Sequence, residues 1–285
     1  MTRNMDVLVI GGGITGLAAA WRLQKENEKG AGIRFEVAEA SARLGGKAST
    51  IARDGFLLEE GPDSFLTSKP AALELCRELG LEKELIPLRP NKTVYLYSGN
   101  RLHPMPPALM LAAPLSLKTA LGASALYWPA RLRRAFESWV SKGPGRDESI
   151  AAFAERRFGK EFAQTIMAAL TAGIYAGDSR TLSIRNTFTR LCALEQLHGG
   201  VFKGLAAEAE SRADKEPAPA FMTLRGGMTT LIEALAQKLP PQTVSCGKKI
   251  GNLIGRINDD YAFPSSTQQT IQTKTVIAAC PAFEA

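Results

Sequence analysis

The chain has 285 residues, 45% of them hydrophobic and 22% charged, with a formal net charge of +7. That length can bury a large core and hold more than one structural region, and the composition excludes a low-complexity or collagen-like chain. Four scattered cysteines (Cys76, Cys192, Cys246, Cys280) form no C-x-x-C pair, and His103 and His198 lack metal-ligand spacing; these features argue against a zinc or haem site and a Ser/His/Asp triad, and fit thiols kept in a reducing compartment.

Val7–Ile10 is a short apolar, β-branched run, as expected of a strand buried on both faces. Gly11-x-Gly13-x-x-Gly16 follows at once, and Leu17–Leu23 reads as a helix. Gly11 allows a tight turn, Gly13 lets backbone approach a pyrophosphate, and Gly16 lets the helix pack closely on the strand. The helix start, with Ile14 and Thr15, would present free N–H groups and its dipole to the anion. A second strand, Ile33–Ala38, ends at Glu39, where a carboxylate would accept hydrogen bonds from the ribose of an adenine dinucleotide. The alternative is a glycine-rich turn of an unrelated α/β domain, and it must treat strand, turn, helix, second strand and acid as coincidence.

The next loop, Arg43-Leu44-Gly45-Gly46-Lys47, offers bare backbone to a flat ring or phosphate, with Arg43 able to pair with a phosphate oxygen. Thr50–Ile51 and Phe56–Leu58 flank Asp54-Gly55 as a hairpin. Pro70–Leu79 reads as an amphipathic helix closed at Gly80. Val94–Tyr97 and Arg101–His103 read as a second hairpin, with Pro104–Pro107 breaking the chain afterwards. Helical periods then dominate: Leu117–Trp128, Leu132–Val140, Ser149–Phe158, Glu161–Ala172 and Ile184–Leu197. Ala206–Pro219 reads as a linker. Strand character returns at Phe221–Leu224, followed by the Gly226-Gly227 turn and a helix over Met228–Leu239. Val244, Ile250–Ile257 and Thr275–Ala279 follow as strands.

The basicity is concentrated, with residues 89–160 carrying 12 Lys/Arg against 4 Asp/Glu. Few aromatics interleave with these charges and no nucleic-acid motif occurs, so an anionic membrane surface or a polycarboxylate ligand fits better than nucleic acid. No signal peptide is expected, because the apolar run after Arg3 is short and enters the glycine turn directly. Ala108–Ala130 is too interrupted, by Pro114, Lys118 and Pro129, to span a bilayer. It reads either as a core helix or, with Arg131-Leu132-Arg133-Arg134 behind it, as an amphipathic segment lying on lipid.

The Gly11–Gly16 turn, the Arg43-x-Gly45-Gly46 loop and Glu60-Gly61-Pro62-Asp63-Ser64-Phe65 together resemble the flavin-dependent amine oxidase-type enzymes. Leu102-His103-Pro104-Met105-Pro106 and Ala172-Gly173-Ile174-Tyr175-Ala176-Gly177-Asp178 narrow the resemblance to oxygen-dependent protoporphyrinogen or coproporphyrinogen oxidases. Thr223–Met228 and Val276–Ala282 agree with it, so the resemblance runs from residue 5 to the last residue. It implies an α/β fold: a discontinuous Rossmann-like FAD-binding domain (residues 1–62 and, incomplete, 220–285), inserted substrate-binding strands (63–107) and a mainly helical domain (108–205), membrane-facing under the second reading of Ala108–Ala130.

The resemblance implies noncovalent FAD, with Gly11, Gly13, Ile14, Thr15 and Gly16 at the pyrophosphate and Glu39 at the adenosine ribose. It places Arg43, Gly45, Gly46, Lys47, Gly61, Pro62, Asp63 and Ser64 along the pyrophosphate and flavin, and Val244 at the adenine. The Gly173–Gly177 stretch becomes a loop beside the substrate, with the Gly173 carbonyl facing the porphyrinogen methylene carbons. The implied reaction is dehydrogenation of a porphyrinogen to a porphyrin with O2 as final acceptor and no metal, in haem biosynthesis. The implied location is the cytoplasm or the cytoplasmic face of a membrane, with a homodimer among the expected states.

Two departures stand out. Val94 occupies the place of a substrate-pairing arginine of eukaryotic members, with Lys92 and Arg89 nearby as substitutes, so the choice between protoporphyrinogen and coproporphyrinogen stays open. Family members also continue well past the strand at Thr275–Ala279. The resemblance therefore implies a fragment, or a chain that needs a partner to close over the flavin.

Overall fold

Buried side chains at Met5, Leu8 and Val9 mark the segment from which the main sheet grows. The computed structural model describes residues 2–88, 94–104, 137, 140–143, 145–210 and 219–285. The chain divides into two units, one built from residues 1–90 and 218–285, the other from residues 91–217.

The first unit opens with β1 (Thr2–Ile10), the helix α1 (Ile14–Glu28) and β2 (Phe35–Ala38). β1 is longer than its apolar stretch predicts, because its first residues pair with a partner strand 268 positions away, Thr2 with Thr270. A hairpin of β3 (Thr50–Arg53) and β4 (Phe56–Glu59) follows, turning at Asp54-Gly55 as expected. Then come β5 (Phe65–Leu66), the helix α2 (Pro70–Glu78) and β6 (Leu85–Pro87).

The second unit begins with the expected hairpin, β7 (Tyr95–Ser98) and β8 (Arg101–Pro104). Its helices are α3 (Ile150–Phe158), α4 (Lys160–Phe162), which passes through a π-turn at Ala163–Met167 into α5 (Ala168–Tyr175), α6 (Ile184–Thr187), α7 (Thr189–His198) and α8 (Val201–Glu210). Phe153, Ile166, Met167, Ile184, Leu191 and Val201 are almost wholly buried in its core, and Val94 and Leu96 pack against them. Within this apolar core Arg157 is fully buried, held by Glu195 (2.5 Å) and Glu137 (3.1 Å) and by the carbonyls of Val140 and Gly199. Arg156 adds ion pairs to Glu195 and Glu148.

Returning to the first unit, the chain forms β9 (Phe221–Leu224), α9 (Thr229–Lys238), β10 (Val244–Ser245), β11 (Gly255–Ile257), β12 (Asp260–Pro264) and β13 (Thr270–Ala278). The six-stranded sheet has the order β10-β2-β1-β13-β12-β11. Its first four strands are parallel and its last two antiparallel. A separate sheet sets β9 between β5 and β6. Val9, Phe35 and Val37 pack with Leu17, Ala20 and Trp21 of α1 and with Leu231, Ile232 and Leu235 of α9. Met5, Leu8, Ala38, Phe263 and Ile271 form a second cluster. The expected α/β class, with a parallel sheet assembled from distant parts of the sequence, is what forms.

Other elements besides β1 differ from expectation. The helix expected over Ile184–Leu197 breaks at Phe188, whose φ of −109° and ψ of 50° leave the helical region. The carbonyl of the residue before it, Thr187, instead accepts the Tyr175 hydroxyl at 2.7 Å. The linker expected from Ala206 is helical to Glu210, because Val201 and Leu205 are buried one turn apart and Glu137 accepts the N–H groups of Val201 and Phe202 at the helix start. The strand expected over Ile250–Ile257 forms only at Gly255–Ile257, with a lone bridge from Ile250 to Ser265. The segments 108–130 and 131–134, and Arg89 and Lys92, lie outside the described residues.

Candidate dinucleotide cradle

β1 delivers the chain into a turn that only glycine enters without strain. Gly11 has φ +109°, and a Cβ there would stand 2.8 Å from the carbonyl oxygen of Ala279, just past β13. A Cβ at Gly16 would overlap the carbonyl oxygen of Gly11, so α1 sits against the turn with no room for a side chain. The helix has Gly13 at its N-cap, no capping side chain and no acid in its first turn. Its first hydrogen bond runs from the Leu17 N–H to the Gly13 carbonyl, 3.0 Å. The preceding N–H groups, at exposed Ile14 and Thr15, therefore lie at the positive helix end without intrahelical acceptors. Such an end is built to take an anion.

Glu39 stands directly after β2. Its Oε2 accepts the Gly12 N–H at 2.6 Å, and its Oε1 accepts the Ser41 N–H at 2.8 Å and lies 2.8 Å from the Ser41 hydroxyl. Burial pushes the carboxyl upward, but these donors together with the Ala40 N–H outweigh it and hold the group below its ordinary value. Glu39 is therefore a fixed anion at neutral pH.

The second loop closes on the first. The Gly45 N–H donates to the Gly12 carbonyl at 2.9 Å, and Gly13 and Gly45 form a parallel bridge. Gly46, with φ +57°, follows beside Gly13. Arg43 is exposed, its guanidinium 3.3 Å from the Leu44 carbonyl and 4.0 Å from Glu60, and Lys47 is exposed as well. Gly61 runs so close to the Lys47 carbonyl that a Cβ would overlap it, which brings exposed Pro62 to the same loop. Asp63 and Ser64 bond to each other through their side chains, 2.7 Å, and the Asp63 carbonyl accepts the Thr223 hydroxyl at 2.7 Å.

Val244 pairs with Val37 on the outer side of β2, and the chain beyond it straps the Glu39 corner. The Glu39 N–H donates to the Ser245 carbonyl, Gly247 N–H to Ser41, and Lys248 N–H to Glu39, each 2.8 Å. Below this strap, fully buried Glu36 accepts Lys248 Nζ at 2.7 Å and the Ser245 hydroxyl at 2.8 Å, with Arg3 at 3.0 Å from its other oxygen. The sequence reading missed this strap. A lone carboxylate inside the apolar run Phe35–Ala38 was the available signal, since a buried charge demands a partner, but nothing local names Lys248.

The structure thus gathers the predicted positions Gly11 to Gly16, Glu39, Gly45, Gly46 and Val244 around one corner of the sheet. Gly173 belongs to the second unit. It lies in the last turn of α5, not in a loop, because the helix continues to Tyr175 and ends at left-handed Ala176 (φ +49°). Gly173 is exposed, and carbonyls in a last turn run out of following N–H donors. Val94 packs against the apolar core of the second unit. Among the described residues no group of His, Cys, Asp and Glu could hold a metal, and no helix is long and apolar enough to cross a membrane.

A parallel sheet, a glycine turn entering a helix and an acid after the second strand define a Rossmann-like α/β fold. The model of the flavin containing amine oxidoreductases matches residues 14–284, and the chain belongs to that family. Coproporphyrinogen III oxidase of Bacillus subtilis (strain 168) is 32% identical over 281 residues, 96% of this chain and 59% of that protein. Protoporphyrinogen oxidase of Bos taurus is 34% identical over 84% of this chain and 52% of its own. A crystal structure from Exiguobacterium sp. 255-15, provisionally named a protoporphyrinogen oxidase, has a TM-score of 0.79 at 25% identity and covers 99% of this chain and 60% of that one. A putrescine oxidase variant (TM-score 0.67, 18% identity, 99% of this chain and 59% of that one) shares the fold. The resemblance to porphyrinogen oxidases read from the sequence is borne out by these relatives, and the chain spans between half and three-fifths of their length.

Proposed function

We propose that this chain binds FAD and serves the oxidation of a porphyrinogen, protoporphyrinogen IX or coproporphyrinogen III, to the porphyrin by O2. The observation that carries the cofactor assignment is the pairing of an uncapped, acid-free helix start with a carboxylate held ready one strand away. The similarity to porphyrinogen oxidases supplies the substrate class.

The residues fit the cofactor. The backbone of Gly11–Gly16 would hold the pyrophosphate, because a Cβ at Gly11 or Gly16 would meet backbone and an acid in the first turn would repel the anion. Glu39 would accept the ribose hydroxyls and the backbone at Val244 would meet the adenine. Arg43 and Lys47 would set positive charge beside the phosphates, and Gly45, Gly46 and the Gly61–Ser64 stretch would leave room for the flat ring. When bound, FAD supplies the hydride-accepting ring. The Gly173 carbonyl would face the substrate as an acceptor without a side chain in the way. Each two-electron step takes one hydride and one proton from the macrocycle, and one O2 carries both away as hydrogen peroxide.

The test supplies the FAD-loaded chain with each porphyrinogen and, separately, with putrescine, under air. Porphyrin fluorescence rising above the FAD-only blank, with matching O2 uptake, is expected. Oxidation of the amine, or no porphyrin while flavin stays bound, overturns the reading. The same proposal extends to peripheral attachment at the cytoplasmic face of a membrane through residues 108–134. Salt-sensitive sedimentation with anionic vesicles is expected, and equal sedimentation with neutral ones contradicts it.

A further inference from the structure

We infer that Ser41 is a positioning residue for the adenosine ribose: its hydroxyl, lying between Glu39 Oε1 and the Arg43 carbonyl, holds the Glu39 carboxylate turned so that its other oxygen can take a ribose hydroxyl. This rests on the cofactor assignment above. Ser41 Oγ stands 2.8 Å from Glu39 Oε1 and 2.7 Å from the Arg43 carbonyl oxygen. A serine hydroxyl has a single proton to donate, so the two acceptors cannot both receive it. Oε1 already accepts the Ser41 N–H at 2.8 Å, and Oε2 accepts the Gly12 N–H at 2.6 Å. Each carboxylate oxygen offers about two lone-pair sites. With the hydroxyl turned inward Oε1 is filled, and a ribose hydroxyl is left the site beside the Gly12 N–H on Oε2, an oxygen that is already in position.

The Ser41 N–H is bound to Glu39 and its carbonyl accepts the Gly247 N–H at 2.8 Å, so the residue is fixed on both sides with its hydroxyl beside the carboxylate. The same hydroxyl ties the ribose corner to the loop that carries Arg43, Gly45 and Gly46. An acid followed two residues later by serine is a local side-chain-to-backbone turn that the sequence already contains.

The experiment titrates the full chain with FAD and with ADP-ribose, which carries the adenosine diphosphate but no flavin. Ser41→Ala is expected to weaken both by about five- to tenfold, the scale of one typical net hydrogen bond. Ser41→Thr is expected to restore both, and Ser41→Ala is expected to add little in a Glu39→Gln background. FMN, which lacks the adenosine, should bind both chains equally or neither. Unchanged FAD and ADP-ribose affinity in Ser41→Ala overturns the role of Ser41 and leaves the cofactor assignment standing, as does full additivity with Glu39→Gln. A folded, unsubstituted chain that binds neither FAD nor ADP-ribose overturns both.

Discussion

A methyl group at Gly16 would overlap the carbonyl oxygen of Gly11, whereas one at Gly173 would meet nothing within 4 Å. In the first unit the protein's own backbone demands glycine, and the demand exists before any ligand arrives. At Gly173 none of the described residues demands it, so under the porphyrinogen proposal the demand there comes from what approaches the helix end. The units also differ in what holds them. The cradle corner is fastened mainly by backbone N–H and carbonyl groups, while the helical unit encloses a buried guanidinium between two carboxylates.

The largest effect is expected at Gly16→Ala, which should destabilise the first unit by roughly 4 kcal/mol or more, because a Cβ would displace the turn from the helix. Urea denaturation measures it, and a native-like midpoint would break the contrast. Next is Arg157→Met, which leaves buried Glu137 without its guanidinium and Glu195 with one guanidinium, that of Arg156, instead of two, and should lower stability by about 3–5 kcal/mol.

Acid should act on the same network. Burial pushes Glu195 upward, but Arg156 and Arg157 outweigh it and hold the carboxyl below its ordinary 4.5. Its contribution is therefore complete above that pH and lost as pH falls through the lower folded value. Melting temperatures across this window should fall less steeply for Glu195→Gln than for the unsubstituted chain.

A smaller change is expected from Glu39→Gln, about a tenfold loss of FAD affinity in a flavin titration with the fold retained. Smallest for folding is Gly173→Ala. Its stability should stay within about 0.5 kcal/mol of the original, while porphyrin formation declines. A large loss of stability there would mean that the second unit, like the first, needs its glycine for packing.

The cradle was legible because its requirements are local: Gly11, Gly13 and Gly16 answer steric demands of a turn a few residues long, and Glu39 follows from the end of the next strand. The hairpin at Asp54-Gly55 was legible for the same reason. What escaped depends on partners far along the chain. Lys248 meets Glu36 across 212 positions. Glu137 caps a helix that begins at Val201, so a segment polar enough to read as a linker is helical to Glu210. Phe188 breaks a continuous helical period where the tertiary core claims its ring (6% exposed). Gly173 was expected in a loop, and its helical setting was hidden because the resemblance that singled it out, not a local period, assigned the stretch.

The central claim is that the amino-terminal corner holds FAD. Its most direct test mixes the folded chain with excess FAD, removes free ligand by desalting and records the flavin absorbance, with ADP-ribose as competitor. We predict close to one flavin retained per chain, displaced by ADP-ribose and absent in Gly11→Val. A folded chain that emerges colourless, or one whose flavin ADP-ribose cannot displace, would contradict the account.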